Sequence, residues 1–256
     1  MSTETTAEFS DDAVLGGKLV LRQPRRGHRF GHDAILLAAA TTARGGEHAV
    51  DLGSGVGAAG LALARRIDGL AVTLVEIDPA LAVLGRDNAA RNELSARVRA
   101  VCLDVAAPPA DFAAAGLPPS SVDTVLMNPP FNAPQNPSPE PGRRLARTAA
   151  PDTLAQWLGT AARLLRGSGT ITLIWRADGL DEVLRALAAG FGAAAVLPIH
   201  PKPDAAAIRV IVRAIRGASG EPVRLPAFVL AAADGKPSEH AEAVLREGAA
   251  LDWSVT

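Results

Sequence analysis

The sequence predicts an α/β fold in which a mainly parallel sheet is covered by helices on both of its faces. Between residues 48 and 189, short apolar runs rich in β-branched residues alternate with helical segments, as in parallel strands joined by crossover helices. A glycine-rich turn follows the first of these runs directly. Two later apolar runs have no helix between them, which indicates an antiparallel pair at one edge of the sheet.

The segments before this alternation are predicted to be a tail, a hairpin and a helix. Residues 1–12 are polar and acidic, and we expect them to be disordered. Gly16 and Gly17 lie between short apolar runs within residues 13–30, which favours a small hairpin. Asp33 can cap a helix that runs through the apolar stretch after it and ends at a pair of glycines.

Seven strands are predicted from residue 48 onward. They cover residues 48–52, 71–77, 98–103, 122–127, 170–175, 193–199 and 208–215. The helices among them are predicted at residues 58–67, 79–92, 152–165 and 180–189. We expect one domain over residues 13–216, with residues 217–256 as an appendage of the same domain.

Composition excludes several classes of protein. Apolar residues make up 48% of the 256 residues and charged residues 21%, which allows a buried core. A single cysteine, Cys102, excludes an intrachain disulfide framework and favours a reducing compartment. The polar, acidic start differs from a secretory signal, and no uncharged apolar stretch reaches the roughly 18 residues of a membrane span. We therefore expect a cytoplasmic location.

The charge distribution bears on nucleic-acid binding. The formal net charge is −1, whereas phosphate binding needs positive surface. Two local arginine clusters can supply it, one within residues 22–29 and one at Arg143, Arg144 and Arg147. The second cluster lies in a proline- and arginine-rich stretch, residues 133–150, where a long loop is either functional or mobile. A nucleic-acid partner therefore depends on these two clusters.

The glycine-rich turn is the first candidate ligand site. Residues 51–57 read DLGSGVG, and their glycines permit a tight turn and close backbone approach to a ligand at the carboxyl edge of the sheet. A dinucleotide site usually reads G-x-G-x-x-G and binds a pyrophosphate at a helix N-terminus. Here Asp51 precedes the first glycine, which disfavours a pyrophosphate and suits a ligand with an ammonium and a sulfonium. The turn therefore favours S-adenosylmethionine (SAM) over NAD.

Two further acids follow the next two predicted strands. Glu76 ends the second strand, where a carboxylate can accept both hydroxyls of a ribose. Asp104 follows the third strand, where it or its neighbouring backbone can meet an adenine amine. Each acid alone is more often a helix cap or a solvated strand end. Together with Asp51, behind one glycine-rich turn, they indicate a nucleoside ligand.

A tetrapeptide after the fourth strand is the candidate catalytic motif. It consists of Asn128, Pro129, Pro130 and Phe131, and in isolation it would be read as a turn that ends a strand. The Asn128 side-chain oxygen and the Pro129 carbonyl can accept hydrogen bonds from an amine, and Phe131 can stack on a base, worth about 1–3 kcal/mol. Methyl transfer from a sulfonium to nitrogen is a direct displacement that needs alignment, so no metal is expected.

The glycine-rich turn and the Asn-Pro-Pro-Phe motif together resemble those of class I SAM-dependent methyltransferases. The motif is similar to that of the amino-methylating branch, which reads (N/D)-P-P-(F/Y/W). Over residues 18–250 the chain resembles, in particular, the bacterial valine-tRNA adenine-N6 methyltransferase family. The similarity includes GHRFGHD at residues 27–33, which is similar to the family's G-x-R-F-x-x-D, and the later segments HPKPDAAAIRVIVRA and LPAFVLAAADGKPSEHAEAVL.

This resemblance implies a Rossmann-like, seven-stranded mixed sheet of order 3-2-1-4-5-7-6, with SAM as cofactor and tRNA as substrate. The target adenine would leave its stack to reach Asn128 and Pro129, with Phe131 against the base. The basic loop with Arg143, Arg144 and Arg147 would hold the RNA backbone. The implied SAM contacts are Phe30, His32, Asp33, Asp51, Gly53, Ser54, Gly55, Gly57, Glu76, Ile77, Asp104, Val105 and Asn128.

Other activities stay open at this stage. Phe131 replaces the family's commoner tyrosine, and the LARTAAPD segment also departs from the family's pattern, on the substrate side. The Asn-Pro-Pro-Phe motif also occurs in guanine-N2 rRNA methyltransferases, and a relative acts on glutamine in release factors. A non-catalytic SAM-binding module and a nicotinamide oxidoreductase are alternatives that Asn128 and the glycine-rich turn disfavour. The sequence indicates no oligomeric state.

Overall fold

The computed structural model describes residues 8–26, 29–130 and 152–253. The strands are β1 Phe9–Val14, β2 Leu19–Pro24, β3 His48–Leu52, β4 Ala71–Glu76, β5 Val98–Cys102, β6 Val122–Met127, β7 Leu165–Arg176, β8 Phe191–His200, β9 Arg209–Arg216, β10 Val223–Arg224 and β11 Phe228–Val229. The helices are α1 His32–Ala40, α2 Ala58–Arg66, α3 Pro79–Arg91, α4 Pro109–Ala114, α5 Thr153–Leu164, α6 Leu180–Leu187 and α7 Glu239–Glu242. A π-helical turn at Ala243–Glu247 continues α7.

The central sheet has the strand order β10-β8-β9-β7-β6-β3-β4-β5, and β11 also pairs with β8. Strands β3 to β7 are mutually parallel, whereas β9 is antiparallel to both β7 and β8. Counted from β3, the seven predicted strands therefore lie in the order 3-2-1-4-5-7-6. This confirms the predicted fold class.

Helices cover both faces of this sheet, as predicted. Helices α1, α2 and α3 contribute to one apolar cluster, and α4, α5 and α6 contribute to a second. The central strands β3 and β6 are buried almost throughout, as is typical of parallel strands with helices on both sides. Helix α4 was not predicted, because its six residues bury only Phe112 and so show no helical periodicity.

The C-terminal segment extends the sheet rather than standing apart from it. Strands β10 and β11 pair in parallel with β8, which makes the sheet nine-stranded instead of seven-stranded. Leu225 and Phe228 are buried next to these pairings. The backbone groups at the edge of β8 gain hydrogen-bond partners by this pairing. No helix in the described part of the chain is long and apolar enough to cross a membrane.

The N-terminal hairpin is longer than the sequence predicted. Strand β1 begins at Phe9 and pairs with β2 through Val14, so the prediction of disorder for residues 1–12 is wrong from Phe9 onward. The acidic residues that suggested disorder form ion pairs with arginines: Asp11 pairs with Arg22 at 2.8 Å, and Asp12 pairs with Arg29 at 2.6 Å. The predicted turn is present, and Gly16 at its centre has the left-handed φ of 64° that favours glycine.

Helix α1 begins differently from the prediction. Gly31 is its N-cap residue, and Asp33 lies inside the first turn without capping it. The Asp33 carboxylate instead accepts a hydrogen bond from Arg209 on β9, at 2.9 Å. In α3, by contrast, Asp78 is the N-cap and Pro79 the first helical residue, which confirms the predicted helix start. The ion pair of Asp33 therefore ties α1 to the far side of the sheet.

Candidate active site

The two candidate motifs leave adjacent strands at the same edge of the sheet. In the register of β3 and β6, Leu52 lies opposite Met127. Gly53 and Asn128 therefore follow neighbouring parallel strands, whose spacing is about 4.8 Å. Strand order reverses between β3 and β6, and such switch points are where open α/β sheets bind ligands. The glycine-rich turn and the Asn-Pro-Pro residues therefore lie side by side at this edge of the sheet.

A cavity of about 1050 Å³ opens at this edge. Its volume is at the upper end of the range for small-molecule sites, about 300–1,000 Å³. Eleven of the residues predicted to bind cofactor or substrate line it: Phe30, Asp33, Asp51, Gly53, Ser54, Gly55, Glu76, Ile77, Asn128, Pro129 and Pro130.

The three glycines of the turn have different roles. Gly53, Gly55 and Gly57 all have left-handed φ values, of 69°, 56° and 88°. A Cβ at Gly53 would lie 2.2 Å from Cη2 of Trp157, whereas a Cβ at Gly55 would meet no atom within 4 Å. The space beside Gly55 is therefore open to a ligand.

Gly57 is needed for packing and does not line the cavity. A Cβ at this position would lie 2.7 Å from Cδ1 of Leu74, so a side chain would push α2 away from β4. Gly57 is also the N-cap residue of α2. We therefore remove Gly57 from the predicted cofactor contacts, because its role is in packing.

Two buried carboxylates lie behind the turn. Asp51 is 2% exposed, and its Oδ2 accepts a hydrogen bond from the Gly60 amide at 2.8 Å. Burial raises the pKa of Asp51 to about 7 and also raises the pKa of Glu76. Glu76 accepts hydrogen bonds from the amides of Gly55 at 2.7 Å and Asp78 at 2.9 Å. A cationic ligand in the cavity would favour the ionised form of both acids.

Two polar side-chain atoms at the cavity are buried without a hydrogen-bond partner in the described part of the chain. They are Oδ1 of Asn128 and Oγ of Ser54. Buried polar groups are nearly always hydrogen-bonded, so such atoms at a cavity indicate a ligand that completes them. Asn128 therefore presents an acceptor toward the site, next to the end of β6.

Besides Gly57, three predicted cofactor residues do not line the cavity. His32 is exposed at the start of α1. Asp104 is exposed, and its carboxylate accepts a hydrogen bond from the Ala106 amide at 2.8 Å, which stabilises the local turn. Val105 is buried in the apolar cluster of the opposite face. Asp104 and Val105 both follow β5, which lies two strands away from β3 as expected, so their absence from the cavity reflects their local turn and packing and not the strand order.

The remaining predicted substrate residues, Phe131, Arg143, Arg144 and Arg147, lie outside the described residues. The other basic cluster, within residues 22–29, is partly neutralised. Arg22 pairs with Asp11 at 2.8 Å, and Arg29 pairs with Asp12 at 2.6 Å. We therefore withdraw Arg22 and Arg29 as predicted contacts to an RNA backbone.

Sequence reasoning missed several residues that line the cavity. They are Trp157 on α5, Arg176 at the end of β7, Asp178 after β7, Ile208 before β9 and Arg209 at the start of β9. Trp157 follows Leu154 and precedes Leu158 and Ala161, so its spacing indicates only an apolar helix face. No local signal marks these residues, because their contact with the cavity arises only when β7 and β9 pair.

Comparison with known proteins identifies the family. The model of the methyltransferase small domain family matches residues 30–198. A tRNA1(Val) (adenine(37)-N6)-methyltransferase of Bacteroides thetaiotaomicron is 30% identical over 60% of this chain and 62% of its own length. One from Pedobacter heparinus is 28% identical over 72% of this chain and 76% of its own. The chain thus spans about three fifths of the length of the first relative.

Solved structures agree with this family at the level of the fold. A predicted O-methyltransferase of Agrobacterium tumefaciens is 27% identical, covers 86% of this chain and 98% of its own, and has a TM-score of 0.72. A geranyl diphosphate C-methyltransferase of Streptomyces coelicolor, in complex with S-adenosyl-L-homocysteine, has a TM-score of 0.51 at 15% identity over 72% of this chain and 80% of its own. The second structure supports the fold alone.

The cavity fits SAM, the predicted cofactor. Asp51 and Glu76 provide negative charge for a ligand with a sulfonium and an ammonium, and each oxygen of Glu76 has a further lone pair for a ribose hydroxyl. The open space beside Gly55 and the unpartnered Oγ of Ser54 are consistent with a polar ligand next to the turn. The chain therefore belongs to the methyltransferase small domain family, a family of SAM-dependent methyltransferases.

Proposed function

We propose that this protein methylates the N6 amine of an adenine in tRNA. One observation supports nitrogen, and not oxygen, as the atom that accepts the methyl group. Asn128 directly follows β6 beside the glycine-rich turn, and its buried Oδ1 has no hydrogen-bond partner in the described part of the chain. An amide oxygen accepts hydrogen bonds and cannot remove a proton from a hydroxyl at neutral pH. The site is therefore suited to an acceptor that arrives with N–H groups.

The chemistry of an aromatic amine explains why such an oxygen is needed. The lone pair of the nitrogen is delocalised into the ring, so the amine is a poor nucleophile. Hydrogen bonds from the amine to Asn128 Oδ1 and to the Pro129 carbonyl would orient the lone pair and stabilise positive charge as it develops on nitrogen. Bound SAM supplies the methyl group as part of a sulfonium. The two prolines limit motion of the acceptors, because each fixes its own φ.

The choice of adenine in tRNA is supported by the names of the curated relatives. In this proposal Phe131 stacks on the adenine, and Arg143, Arg144 and Arg147 contact phosphates. The pairing of Arg22 and Arg29 with aspartates leaves residues 143–147 as the better candidate for the RNA backbone. A tRNA substrate also agrees with the expected cytoplasmic location.

Mass spectrometry of nucleosides tests this proposal. Total tRNA, total rRNA and a release factor are incubated separately with the enzyme and SAM, and the nucleosides and the protein are then analysed. We expect N6-methyladenosine in the tRNA, and far less of it when the N128A variant replaces the wild-type enzyme. If the product is instead N2-methylguanosine, methylglutamine or an O-methylated nucleoside, adenine N6 is not the acceptor, and the product identifies the group that is. SAM binding without any methylated product would favour the non-catalytic alternative.

A further inference from the structure

The side chain of Asn88 joins two walls of the cofactor cavity. Asn88 lies on α3 and is 0% exposed. Its Oδ1 accepts a hydrogen bond from the Arg22 amide on β2, at 2.7 Å. Its Nδ2 donates to the carbonyl of Arg22 and to the carbonyl of Val56, each at 3.0 Å. One buried amide therefore contacts both the N-terminal hairpin and the glycine-rich turn.

The hairpin side of this connection continues to the cavity. Gln23 follows Arg22 and is 2% exposed, and its Oε1 accepts a hydrogen bond from the Phe30 amide at 3.1 Å. The Gln23 Nε2 donates to Asp12, whose carboxylate also pairs with Arg29 at 2.6 Å. Phe30 and Arg29 both line the cavity. Hydrogen bonds of Asn88 and Gln23, linked by the peptide bond between Arg22 and Gln23, thus connect the Val56 carbonyl to Phe30.

A second asparagine, one turn later, provides a natural comparison. Asn92 contacts β2 in the same way, since its Oδ1 accepts from the Val20 amide at 2.9 Å and its Nδ2 donates to the Val20 carbonyl at 2.8 Å. Its Nδ2 makes another bond, to the carbonyl of Asn88 at 2.8 Å, and the structure gives it no bond to residues 51–57. The side chains of Asn88 and Asn92 thus hydrogen-bond to the backbone of Arg22 and Val20. These are alternate residues of β2, and the asparagine side chains take the place that a neighbouring strand would have.

We propose that Asn88 is a positioning residue for SAM, holding the glycine-rich turn in its binding conformation against the hairpin wall. The turn contains three glycines with left-handed φ, so its backbone has other conformations of similar energy when nothing holds it. Its first part is held by β4, since the amides of Gly53 and Ser54 donate to the Val75 carbonyl at 2.8 and 3.0 Å. Val56, near its end, is held by Asn88.

The Val56 hydrogen bond affects SAM binding through the fraction of molecules in which the glycine-rich turn has its binding conformation. If only a fraction of molecules has the competent turn, the apparent dissociation constant rises by the inverse of that fraction. Loss of the Val56 bond should therefore weaken SAM binding even though Asn88 does not line the cavity. This inference depends on SAM as the cofactor and not on the proposed tRNA substrate.

Binding calorimetry on N88A and N92A tests this inference, because both variants lose hairpin contacts and only N88A loses a contact to the turn. We expect the Kd for SAM to rise about tenfold or more in N88A and to stay within about twofold in N92A. Amide exchange within residues 53–57 should accelerate in N88A alone. Equal effects of the two variants on Kd, or no effect of N88A, would overturn the inference.

A second pair of variants covers the case in which N88A does not fold. Asn88→Asp and Asn92→Asp keep the volume and the acceptor for the hairpin amide, while an ionised carboxylate has no donor. Both are compared with the wild type at about pH 8, where the carboxylate is favoured over the acid. Weaker SAM binding in N88D than in N92D supports the role of the Val56 bond, and equal binding contradicts it.

Discussion

At the scale of single residues, the site depends on acceptors that the protein buries without satisfying. Asn128 Oδ1 is such an atom, and a buried polar group without a partner destabilises the folded state by about 1–3 kcal/mol. A ligand that donates a hydrogen bond removes this penalty. The same atom therefore lowers the stability of the free protein and, in the proposed function, favours binding of the substrate amine.

Replacing Asn128 by alanine should separate catalysis from cofactor binding. We expect turnover to fall by about 10²–10³, the range for removal of one group that stabilises developing charge. The Kd for SAM should change little, because the glycine-rich turn, Asp51 and Glu76 are intact. Methyl transfer from labelled SAM to tRNA and calorimetry give the two values. N128D, which keeps an acceptor oxygen, is the conservative control and should retain more activity than N128A; equal loss in both would argue against the acceptor role.

The buried Asp51 should make stability and binding respond to pH in opposite directions. Its pKa of about 7 in the folded state lies above the ordinary value of 3.8, so the folded state keeps a proton that the unfolded state releases between these values. Its stabilising contribution is therefore complete below pH 3.8 and is lost as pH rises through about 7, at up to about 1.4 kcal/mol per pH unit. SAM affinity should rise over the same window, because the ionised acid attracts a cation.

Urea unfolding and calorimetry at about pH 5 and about pH 8 measure both effects. The variant D51N keeps an acceptor for the Gly60 amide and removes the titrating group. We expect its free energy of unfolding to depend less on pH than that of the wild type. A pH dependence as steep in D51N as in the wild type would assign the effect to other groups.

At the scale of elements, the glycine-rich turn is shaped by α5 as well as by its own strand. The indole of Trp157 occupies the position that a side chain at Gly53 would need. Helix α5 follows the Asn-Pro-Pro motif in the chain, so this contact packs the helix after one motif against the turn of the other. The contact between Trp157 and Gly53 therefore connects the glycine-rich turn to the helix that follows the Asn-Pro-Pro motif.

Gly53→Ala should destabilise the protein more than Gly55→Ala does, when both are measured without SAM. Both positions have left-handed φ, so the backbone penalty of about 1 kcal/mol is shared. Only the alanine at 53 would collide with Trp157, and such overpacking adds about 1–3 kcal/mol. Urea unfolding of the two variants measures the difference. Adding Trp157→Ala should recover part of the loss at 53 and none at 55, and a similar response at both would refute the steric account.

At the scale of the whole molecule, the C-terminal segment is part of the methyltransferase core. The Leu251 amide donates to the Ala39 carbonyl at 2.9 Å, and Trp253 Nε1 donates to the Ala40 carbonyl at 2.8 Å. The Arg213 guanidinium lies 4.3 Å from the centre of the Trp253 ring. The segment thus caps the end of α1, whose first turns line the cavity.

Trp253→Ala should therefore reduce stability without changing the site directly. We expect a loss of about 2 kcal/mol, below the 3–5 kcal/mol typical of a fully buried tryptophan, because Trp253 is only partly buried. Urea unfolding measures the change, with SAM affinity as a parallel readout. A loss below about 0.5 kcal/mol, the size of an ordinary surface substitution, would mean that the segment does not stabilise α1.

The sequence by itself determined the order of strands and helices, the glycine-rich turn and the Asn-Pro-Pro motif, because periodicity, capping residues and glycine act over a few neighbouring positions. It also placed Asp51, Glu76 and Asn128 at strand ends, which in a parallel sheet share one edge. Only the tertiary structure decided which side chains reach the cavity. It left Asp104 and Val105 outside it, because Asp104 is exposed in a local turn and Val105 packs in an apolar cluster, and it added Trp157, Arg209 and the Asn88 connection. Those contacts join residues far apart in the chain, and their partners are fixed by strand order and packing, which no local pattern encodes.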